Sequence, residues 1–493
     1  MIRLVIVLLL IVICQYATAQ NIDDAVRYSF LPQQNSARSL GVGGSMSPLG
    51  ADISVATVNP AGTAEFRKSE IVLGFGLPIV STDGTLGGDT ANDNTVGFKL
   101  SNLGAVIAST KDRSKKIKRV NFSLGLNQLA DFHDNIFYDG ITPGTRTERF
   151  IEQANLRTID ELDPFEGGPA FDVDLISDDD GDTFYESDFF TFEEETLKIE
   201  SIERTGTYHE FFLNLAANHN EKLSFGLTIG FPIIEFDETR VYLEEDFFSI
   251  VPNFFDFEFI QNLNTSGSGV NFKGGVIYKL NSKIRLSAAV HSPTWLTLTD
   301  IFSTSLDFFT DDINVDGLIS ESPQAEFEYS LRTPWRALAG ISTVYRAGDL
   351  RGFITGEVEY VDYTNSSFDL TANSNDPVDQ FFEDDLNGEI NDQLTQAINV
   401  RIGTELALSK FRVRVGAGLL QEPFEDSNLV DVDIQLNGGL GWRENKWYVD
   451  LAFSTRQQAQ IFTPYRLLDA SNNQVVELDS RISQLALTLG YKL

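Results

Sequence analysis

The C-terminal stretch QLALTLGYKL, residues 484–493, alternates between apolar and small or polar side chains. Its apolar face carries Leu485, Leu487, Leu489, Tyr491 and Leu493. A period of two is that of a β-strand with one apolar face. FRVRVGAGL (411–419), VDVDIQLNGGLGW (430–442) and WYVDLAFS (447–454) repeat the pattern. The chain is therefore expected to build strands that are apolar on one side only.

The N-terminal sequence predicts that the protein is exported. Residues 1–19 combine the basic Arg3, an apolar run from Leu4 to Ile13 and the small Ala17-Thr18-Ala19, which together are typical of a signal peptide cleaved after Ala19. A lipoprotein site at Cys14 is the alternative. Cleavage after Ala19 leaves no cysteine for disulfides. Because no later stretch is apolar enough for a membrane-spanning helix, a membrane form has to be a closed barrel.

The connections between strands distinguish a barrel from a soluble sandwich. Short turns are expected at 111–115, 220–222, 281–283, 347–349, 409–410 and 443–445, and long acidic loops near 79–92, 129–200, 236–266, 300–322, 365–388, 422–428 and 460–476. These connections join 14 strands, starting near residues 69, 94, 117, 202, 223, 268, 283, 325, 350, 391, 411, 429, 446 and 478. Short turns at one end and long loops at the other are typical of outer-membrane barrels. We predict an all-β fold: a 14-stranded antiparallel transmembrane β-barrel over residues 67–493 with long extracellular loops. Trp442, Trp447 and Tyr491 would form its periplasmic aromatic girdle.

The net charge and the histidine positions restrict the possible functions of the protein. The chain has 72 acidic and 37 basic side chains and a net charge of −35, which excludes nucleic acid as a partner. Of the four histidines, only His291 is predicted to point into the lumen, and no serine motif accompanies it. We therefore expect a non-enzyme in the bacterial outer membrane, in contact with outer-membrane lipids, and rank a lipid hydrolase last.

Residues 20–66 precede the first strand and lack a sustained period. They place the turn-forming VNPAG between apolar residues, with Ile53 and Val55 before it and Phe66 after it. A 14-stranded barrel is too wide for its own side chains to fill. Gly, Asn and Pro suit backbone that turns tightly inside a lumen. We therefore predict an N-terminal hatch, or plug, inside the barrel, with a disordered periplasmic tail as the alternative.

The stretch SARSLGVGGSMSPLGADISVATVNPAGTA resembles the hatch of the FadL/TodX family of outer-membrane transporters for hydrophobic compounds. That hatch has a Gly-rich stretch, an acidic residue in an Ala/Ser run, and Asn-Pro-Ala. The matching residues, to which the resemblance assigns a hatch and gating role, are Asp52, Ser54, Asn59, Pro60, Ala61 and Gly62. The C-terminal Leu493 departs from the Phe or Trp that usually ends such barrels.

The resemblance implies passive, hatch-gated uptake of long-chain fatty acids or other hydrophobic small molecules. Ligand would bind first in an apolar groove between extracellular loops and then in a pocket touching the hatch. Movement of the hatch would open a path, and ligand would leave sideways through a gap in the wall. No energy-coupling protein is expected. A general diffusion porin or a surface adhesin is the alternative function.

Two loops are rich in phenylalanine. The candidate ligand-binding residues are Phe247, Phe248, Ile250, Val251, Phe254, Phe255, Phe257, Phe259, Phe302, Phe308 and Phe309. Exposed apolar patches mark binding surfaces, so facing loops of this kind predict a groove for an acyl chain. Packing of the two loops into a core is the alternative.

The acidic loop DDINVDG contains half of a calcium-binding pattern, in Asp312, Asn314 and Asp316. Position 12 of the pattern is Pro323, so a solvated acidic turn competes with a structural calcium ion in this extracellular loop. No other cofactor is expected. The basic residues on the polar strand faces, among them Lys273, are expected to line the lumen and pair with acids there.

Overall fold

A computed structural model describes residues 21–32, 36–109, 116–187, 189, 195–251, 254–310, 317–348, 350–371, 377–425 and 432–493. The predicted signal peptide and the calcium candidates Asp312, Asn314 and Asp316 lie outside these residues. Within the described ranges, no helix has both the length and the hydropathy to cross a bilayer.

The described residues form one sheet of twenty strands. The strands are β1 Glu70–Leu86, β2 Asp89–Val96, β3 Lys99–Ala108, β4 Ile117–Asp131, β5 Asp134–Pro143, β6 Glu195–His219, β7 Leu223–Glu245, β8 Asp256–Lys279, β9 Ile284–His291, β10 Trp295–Phe309, β11 Leu318–Glu321, β12 Ala325–Arg332, β13 Arg336–Ala347, β14 Leu350–Asp362, β15 Ser367–Asp369, β16 Gln396–Leu408, β17 Phe411–Gln421, β18 Val432–Arg443, β19 Trp447–Phe462 and β20 Val476–Lys492.

These strands join into a closed barrel of 14 antiparallel strands, as the sequence predicts. Several barrel strands consist of two segments: β2 continues into β3, β4 into β5, β9 into β10, and β12 into β13. The barrel closes because β1 pairs with β20 over its whole length, from Glu70 opposite Lys492 to Thr85 opposite Glu477.

The predicted strand starts at 69, 117, 223, 325, 350 and 411 lie within one residue of the observed ones. The predicted loop at 236–266 is wrong. It is mostly a hairpin, because β7 continues to Glu245 and β8 begins at Asp256. Part of the predicted 129–200 loop is strand as well, since β5 pairs with the start of β6. Above the membrane both faces of a strand can be polar, so backbone pairing persists where the apolar alternation ends.

The wall presents apolar side chains outward and polar ones inward. On β19, Leu451 and Phe453 are exposed, while the alternating residues Asp450 and Ala452 are buried. The exposed apolar positions continue around the barrel, including Leu227, Ile402, Val415 and Leu440. A closed barrel with such a belt spans a membrane. Trp447 and Tyr491 lie at the end with the short turns, where the predicted girdle places them.

Six α-helices are present in the described residues: α1 Ile22–Arg27, α2 Ala37–Gly41, α3 Val55–Val58, α4 Thr147–Ala154, α5 Gly167–Asp172 and α6 Pro377–Gln393. The first three, with a 3-10 helix at Pro60–Glu65, belong to the segment that precedes the barrel. α4 and α5 lie in the crown, by which we mean the parts of the chain beyond the membrane at the end with the long hairpins.

Candidate functional site

Residues 36–66 form a plug that contacts the barrel from all sides. The Ala37 N–H donates to Thr488 Oγ1 (2.9 Å) on the last strand. The Ser47 N–H donates to Glu357 Oε2 (2.9 Å) on β14, and Asn121 on β4 donates to the Phe66 carbonyl (2.9 Å). Nearly every residue of this segment is buried. The plug is therefore fixed to the wall by polar contacts.

The Asn-Pro corner is the point where the plug meets β8. Asn59 ends α3, and its Oδ1 accepts from the Ala61 N–H (3.2 Å), which caps the 3-10 helix that Pro60 begins. Its Nδ2 donates to the Ser47 carbonyl (3.1 Å) and to the Val276 carbonyl of β8 (3.3 Å). One amide thus satisfies backbone groups of both plug and wall, which a polar group buried in a lumen requires.

The other hatch residues serve close packing within the plug. Asp52 Oδ1 accepts from Ser36 Oγ (2.8 Å) and Ser54 Oγ (2.7 Å), and so holds the two halves of the plug together. Ala61 and Gly62 are buried. A Cβ on Gly62 would lie 2.7 Å from Val55 Cγ2, so only glycine fits at this position.

The lumenal cations are paired, as expected. Arg401 lies 2.8 Å from Glu359, and Lys273 lies 2.5 Å from Glu210. Arg414 contacts Asp450 (2.8 Å), which is fully buried. Two other cations hold the plug directly: Lys279 contacts Glu65, and Arg285 donates to the Leu49 carbonyl (2.9 Å). The His291 ring also contacts the plug, with its Nε2 2.8 Å from the Val58 carbonyl oxygen.

Above the plug, apolar side chains of the wall pack around α1, and we call the region that they enclose the chamber. Its wall consists of Tyr208, Ile234, Leu296, Leu298, Tyr329, Leu331, Val361, Tyr363 and Phe368. Helix α1 fills it with Ile22, Ala25 and Tyr28, and α6 covers it with Leu386 and Ile390. The chamber was not predicted, because its residues are spread over many strands that the sequence does not show to be neighbours.

Helix α1 is attached to the wall differently from the plug. Just after α1, the Arg336 guanidinium donates to the Ser29 carbonyl. Within α1, the Arg27 guanidinium lies 4.0 Å from the ring centroid of Phe236, and Ile22 and Ala25 pack against apolar side chains of the wall. A cavity of about 60 Å³ lies between the plug and Leu31 and Pro32, which follow α1, and is also lined by Val58, Lys273 and His291. Residues 21–32 and 36–66 are therefore distinct parts of the N-terminal segment.

The predicted ligand residues divide into two groups. Val251, Phe254, Phe257, Phe259 and Phe308 are buried in one aromatic core with side chains of α4 and α5. Phe302 is half-buried against Phe165, with ring centroids 5.4 Å apart. Phe247, Phe248, Ile250, Phe255 and Phe309 are exposed. Much of the expected groove is thus filled by the chain itself, and an apolar tip remains open.

The exposed group forms one surface. The Phe255 N–H donates to the Phe309 carbonyl (3.2 Å), and the Asp246 N–H donates to the Phe255 carbonyl (3.0 Å), which brings the turn beside it. Phe247 and Phe248 pack edge to face, 5.4 Å between centroids. We call the five exposed residues Phe247, Phe248, Ile250, Phe255 and Phe309 the tip patch.

Sequence reasoning missed the layer beneath the tip patch. Arg146 directly precedes α4. Its guanidinium lies 4.4 Å from the ring centroid of Phe259 and 5.2 Å from that of Tyr242. Its backbone N–H donates to Glu244 Oε2 (3.1 Å). Arg146 lies in a long loop without periodicity, and no local signal relates it to β7 and β8.

Acidic groups crowd this part of the crown. Burial, together with the charges of Glu152 and Glu244, raises the pKa of Glu148 to about 7. Burial and the neighbouring Glu245 and Glu258 raise the pKa of Asp256 to about 6. Both carboxyls therefore change their charge near neutral pH.

The wall has a break between its second and third barrel strands. β3 pairs with β4 only from Asn102 to Ala108. Above this point β2 pairs with β1, β5 pairs with β6, and no ladder joins β2 to β5 in the described residues. The break lies about ten residues above the periplasmic turn, at the outer edge of the apolar belt, since 9–11 residues span a bilayer.

Comparison with known proteins identifies the fold. No family model and no curated protein matches the chain. A Pseudomonas aeruginosa FadL homologue matches 94% of this chain and 99% of its own length, with a TM-score of 0.54 at 11% identity. The P. putida toluene transporter TodX matches with the same coverage, TM-score and identity. A deltaS2 mutant of the TodX monoaromatic hydrocarbon channel matches with a TM-score of 0.53 at 11% identity.

These similarities cover the whole architecture, from the N-terminal plug to the last strand. The predicted fold is confirmed: the chain has the fold of this FadL homologue and of TodX, a closed 14-stranded antiparallel barrel with its N-terminal segment in the lumen.

Proposed function

We propose that this barrel carries hydrophobic small molecules, long-chain fatty acids among them, into the cell by passive diffusion gated by its N-terminal segment. The apolar chamber carries the proposal. A general porin has a polar, water-filled lumen, whereas this lumen is lined above the plug by aliphatic and aromatic side chains such as Ile234 and Leu298. An apolar lining suits an apolar passenger.

The tip patch serves as the first binding surface. Its five apolar residues face water beside acidic neighbours such as Asp246 and Glu245, and water-exposed aromatic clusters mark binding sites. From there a ligand passes to the chamber, where it takes the place of α1. Since Ile22 and Ala25 of α1 pack against the apolar wall, a ligand that offers the same packing replaces these contacts when α1 is displaced.

The exit is sideways. The plug below the chamber is fixed by hydrogen bonds to strands all around the barrel, so a path through it breaks many of them. In this proposal the ligand leaves through the break between the second and third barrel strands, where the β3–β4 ladder ends at Asn102. No energy-coupling protein is required for such a route. The toluene transporter and the monoaromatic hydrocarbon channel with the same fold support a hydrophobic passenger.

Binding of a fatty-acid series to the purified protein tests the proposal. Each additional buried CH₂ is worth about 0.8 kcal/mol, so affinity should rise with chain length. Changing Phe247, Phe248 and Phe255 to Ser should flatten this dependence. The matched control is Phe184→Ser, an exposed phenylalanine elsewhere in the crown. Titration calorimetry that shows equal affinity for short and long chains in the parent protein would contradict the proposal.

A further inference from the structure

The break in the wall is closed by side chains. Lys99 Nζ lies 3.3 Å from Asp131 Oδ2, and both side chains are buried. Asp131 also accepts from the His133 backbone N–H (3.1 Å) and from Gln128 Nε2 (3.1 Å), and its Oδ1 lies 2.9 Å from His133 Nδ1. An ion pair thus stands where a backbone ladder would otherwise join the two strands.

The same place concentrates buried polar atoms that have no hydrogen-bond partner in the described residues. They are Ser101 Oγ, the Oδ1 and Nδ2 of Asn102, and Gln128 Oε1. Ser101 and Asn102 are at most 1% exposed. Buried polar groups normally have partners, and each one without a partner costs about 1–3 kcal/mol. Such a concentration indicates a binding site for a polar group.

Glycines on β1 make room for this cluster on the lumenal side. A Cβ on Gly76 would lie 2.8 Å from both Lys99 Cε and Ser101 Oγ, and one on Gly74 would lie 2.7 Å from Asn102 Oδ1. Larger residues at these two positions would displace the polar side chains. We call Lys99, Ser101, Asn102, Gln128, Asp131 and His133 the polar gate.

Apolar surface lies on both sides of the polar gate. Toward the chamber, the Phe132 ring packs against Tyr28 beside α1 (5.9 Å between centroids) and against Phe236 (5.5 Å). Toward the membrane, Phe98 is 69% exposed and stacks on Phe75 at 5.7 Å. A molecule that crosses here meets an apolar surface, a charged constriction and a second apolar surface.

We propose that the polar gate binds the carboxylate of an anionic amphiphile during sideways exit, and so selects acids over neutral hydrophobic molecules. The ligand carboxylate replaces Asp131 at the Lys99 ammonium and accepts from Ser101 Oγ and Asn102 Nδ2. Asp131 keeps its contacts with His133 and Gln128. Exchanging one carboxylate for another leaves Lys99 paired, which a buried charge requires. A neutral molecule offers Lys99 no such replacement.

This inference rests on the proposed function and is tested by comparing oleate with its neutral methyl ester. In full-length protein, uptake by cells without another long-chain fatty-acid transporter should favour oleate. Lys99→Met should reduce oleate uptake by about tenfold, the scale of one lost charge contact, and leave ester uptake unchanged. Lys410→Met, at an exposed turn far from the gate, is the control.

Asp131→Asn provides a change of opposite sign. It leaves Lys99 without its counter-ion, so oleate should bind more tightly to purified protein, with the ester unaffected. Heat-modified mobility on gels checks that both variants form the barrel. Equal uptake of oleate and ester by the parent, or an unaltered preference in Lys99→Met, would overturn the polar gate while leaving the transport proposal intact. If the parent takes up neither molecule, the proposed function fails first.

Discussion

At the scale of single residues, the Asn-Pro corner shows how much the sequence can reveal. Its composition predicts a rigid turn inside a lumen, and Asn59 caps the turn there through its side chain. What the sequence could not supply is the partner. The Val276 carbonyl lies 217 positions away, and no local pattern relates the two residues.

We predict that Asn59→Ala loosens the plug without preventing barrel assembly. The change leaves the Ser47 and Val276 carbonyls without their donor, at a cost of about 1–3 kcal/mol. Ion conductance in planar bilayers should rise. Asn92→Ala removes a comparable set of side-chain hydrogen bonds from the exposed β1–β2 hairpin, and should leave conductance at the parental level.

A second prediction concerns the lipid-facing residues. Leu451→Arg places a charge near the middle of the membrane and should destabilise the barrel by about 2–4 kcal/mol. Ile461→Arg, on the same face of the same strand but near its extracellular end, should cost about 0–1 kcal/mol. Urea unfolding of both variants in lipid vesicles measures the difference. Equal costs would place the membrane at a different height on β19.

At the scale of elements, close approach of plug and wall depends on wall glycines. A Cβ on Gly226 would lie 2.5 Å from the Pro60 carbonyl carbon. We predict that Gly226→Val displaces the corner and increases conductance. The control is Gly274→Val, whose Cβ would meet only Leu227 Cδ2, at 3.5 Å, among lipid-facing residues. If both variants stay closed, the plug is not held by this contact.

The crown should respond to pH through α4. The folded-state pKa of Glu148, about 7, lies above its ordinary value of 4.5, so the folded crown binds a proton that the unfolded chain releases. Stability is then greatest at low pH and falls as pH rises through about 7. Asp256, with a pKa of about 6, acts in the same direction.

Limited proteolysis of the crown at about pH 5.5 and about pH 8 measures this effect. Because the folded crown binds the additional proton, its stability should be higher at the lower pH. Cleavage should be faster at the higher pH, and Glu148→Gln should reduce the difference. Asp160→Asn, on an exposed part of the same loop, serves as the control. A difference that persists unchanged in Glu148→Gln would assign the effect to other acids.

At the scale of the whole molecule, alternation and turn lengths were enough to predict the barrel and its strand number. They failed where the chain leaves the membrane, because an apolar face is no longer required there. In residues 236–266 the apolar–polar alternation stops, but the backbone pairing of β7 with β8 continues. The position of the hatch motif in the lumen could be predicted from local sequence, whereas the phenylalanine runs did not reveal which of their residues are buried in a core. The candidate site was not predictable where it is assembled from distant strands, as in the chamber and the polar gate.

Removal of residues 21–66 tests the N-terminal segment as a unit. The plug, residues 36–66, occupies the lumen between opposite strands. Its loss should therefore convert a closed barrel into a conducting one. Single-channel recordings of the deletion variant and the full chain make the comparison. Equal conductance would show that the crown alone closes the pore.

The contact between Ala37 and Thr488 joins residues 451 positions apart. Export delivers the plug first and the final strand last, so the plug cannot acquire this contact until synthesis and translocation of the whole chain are complete. Contacts of such separation form slowly, because the intervening loop has to close before they stabilise anything. Until then the plug surfaces that the last strand buries remain uncovered. A chain truncated before β20 would lack Thr488 and could not form this contact. Docking of the plug is therefore a late step that only full-length chains can complete.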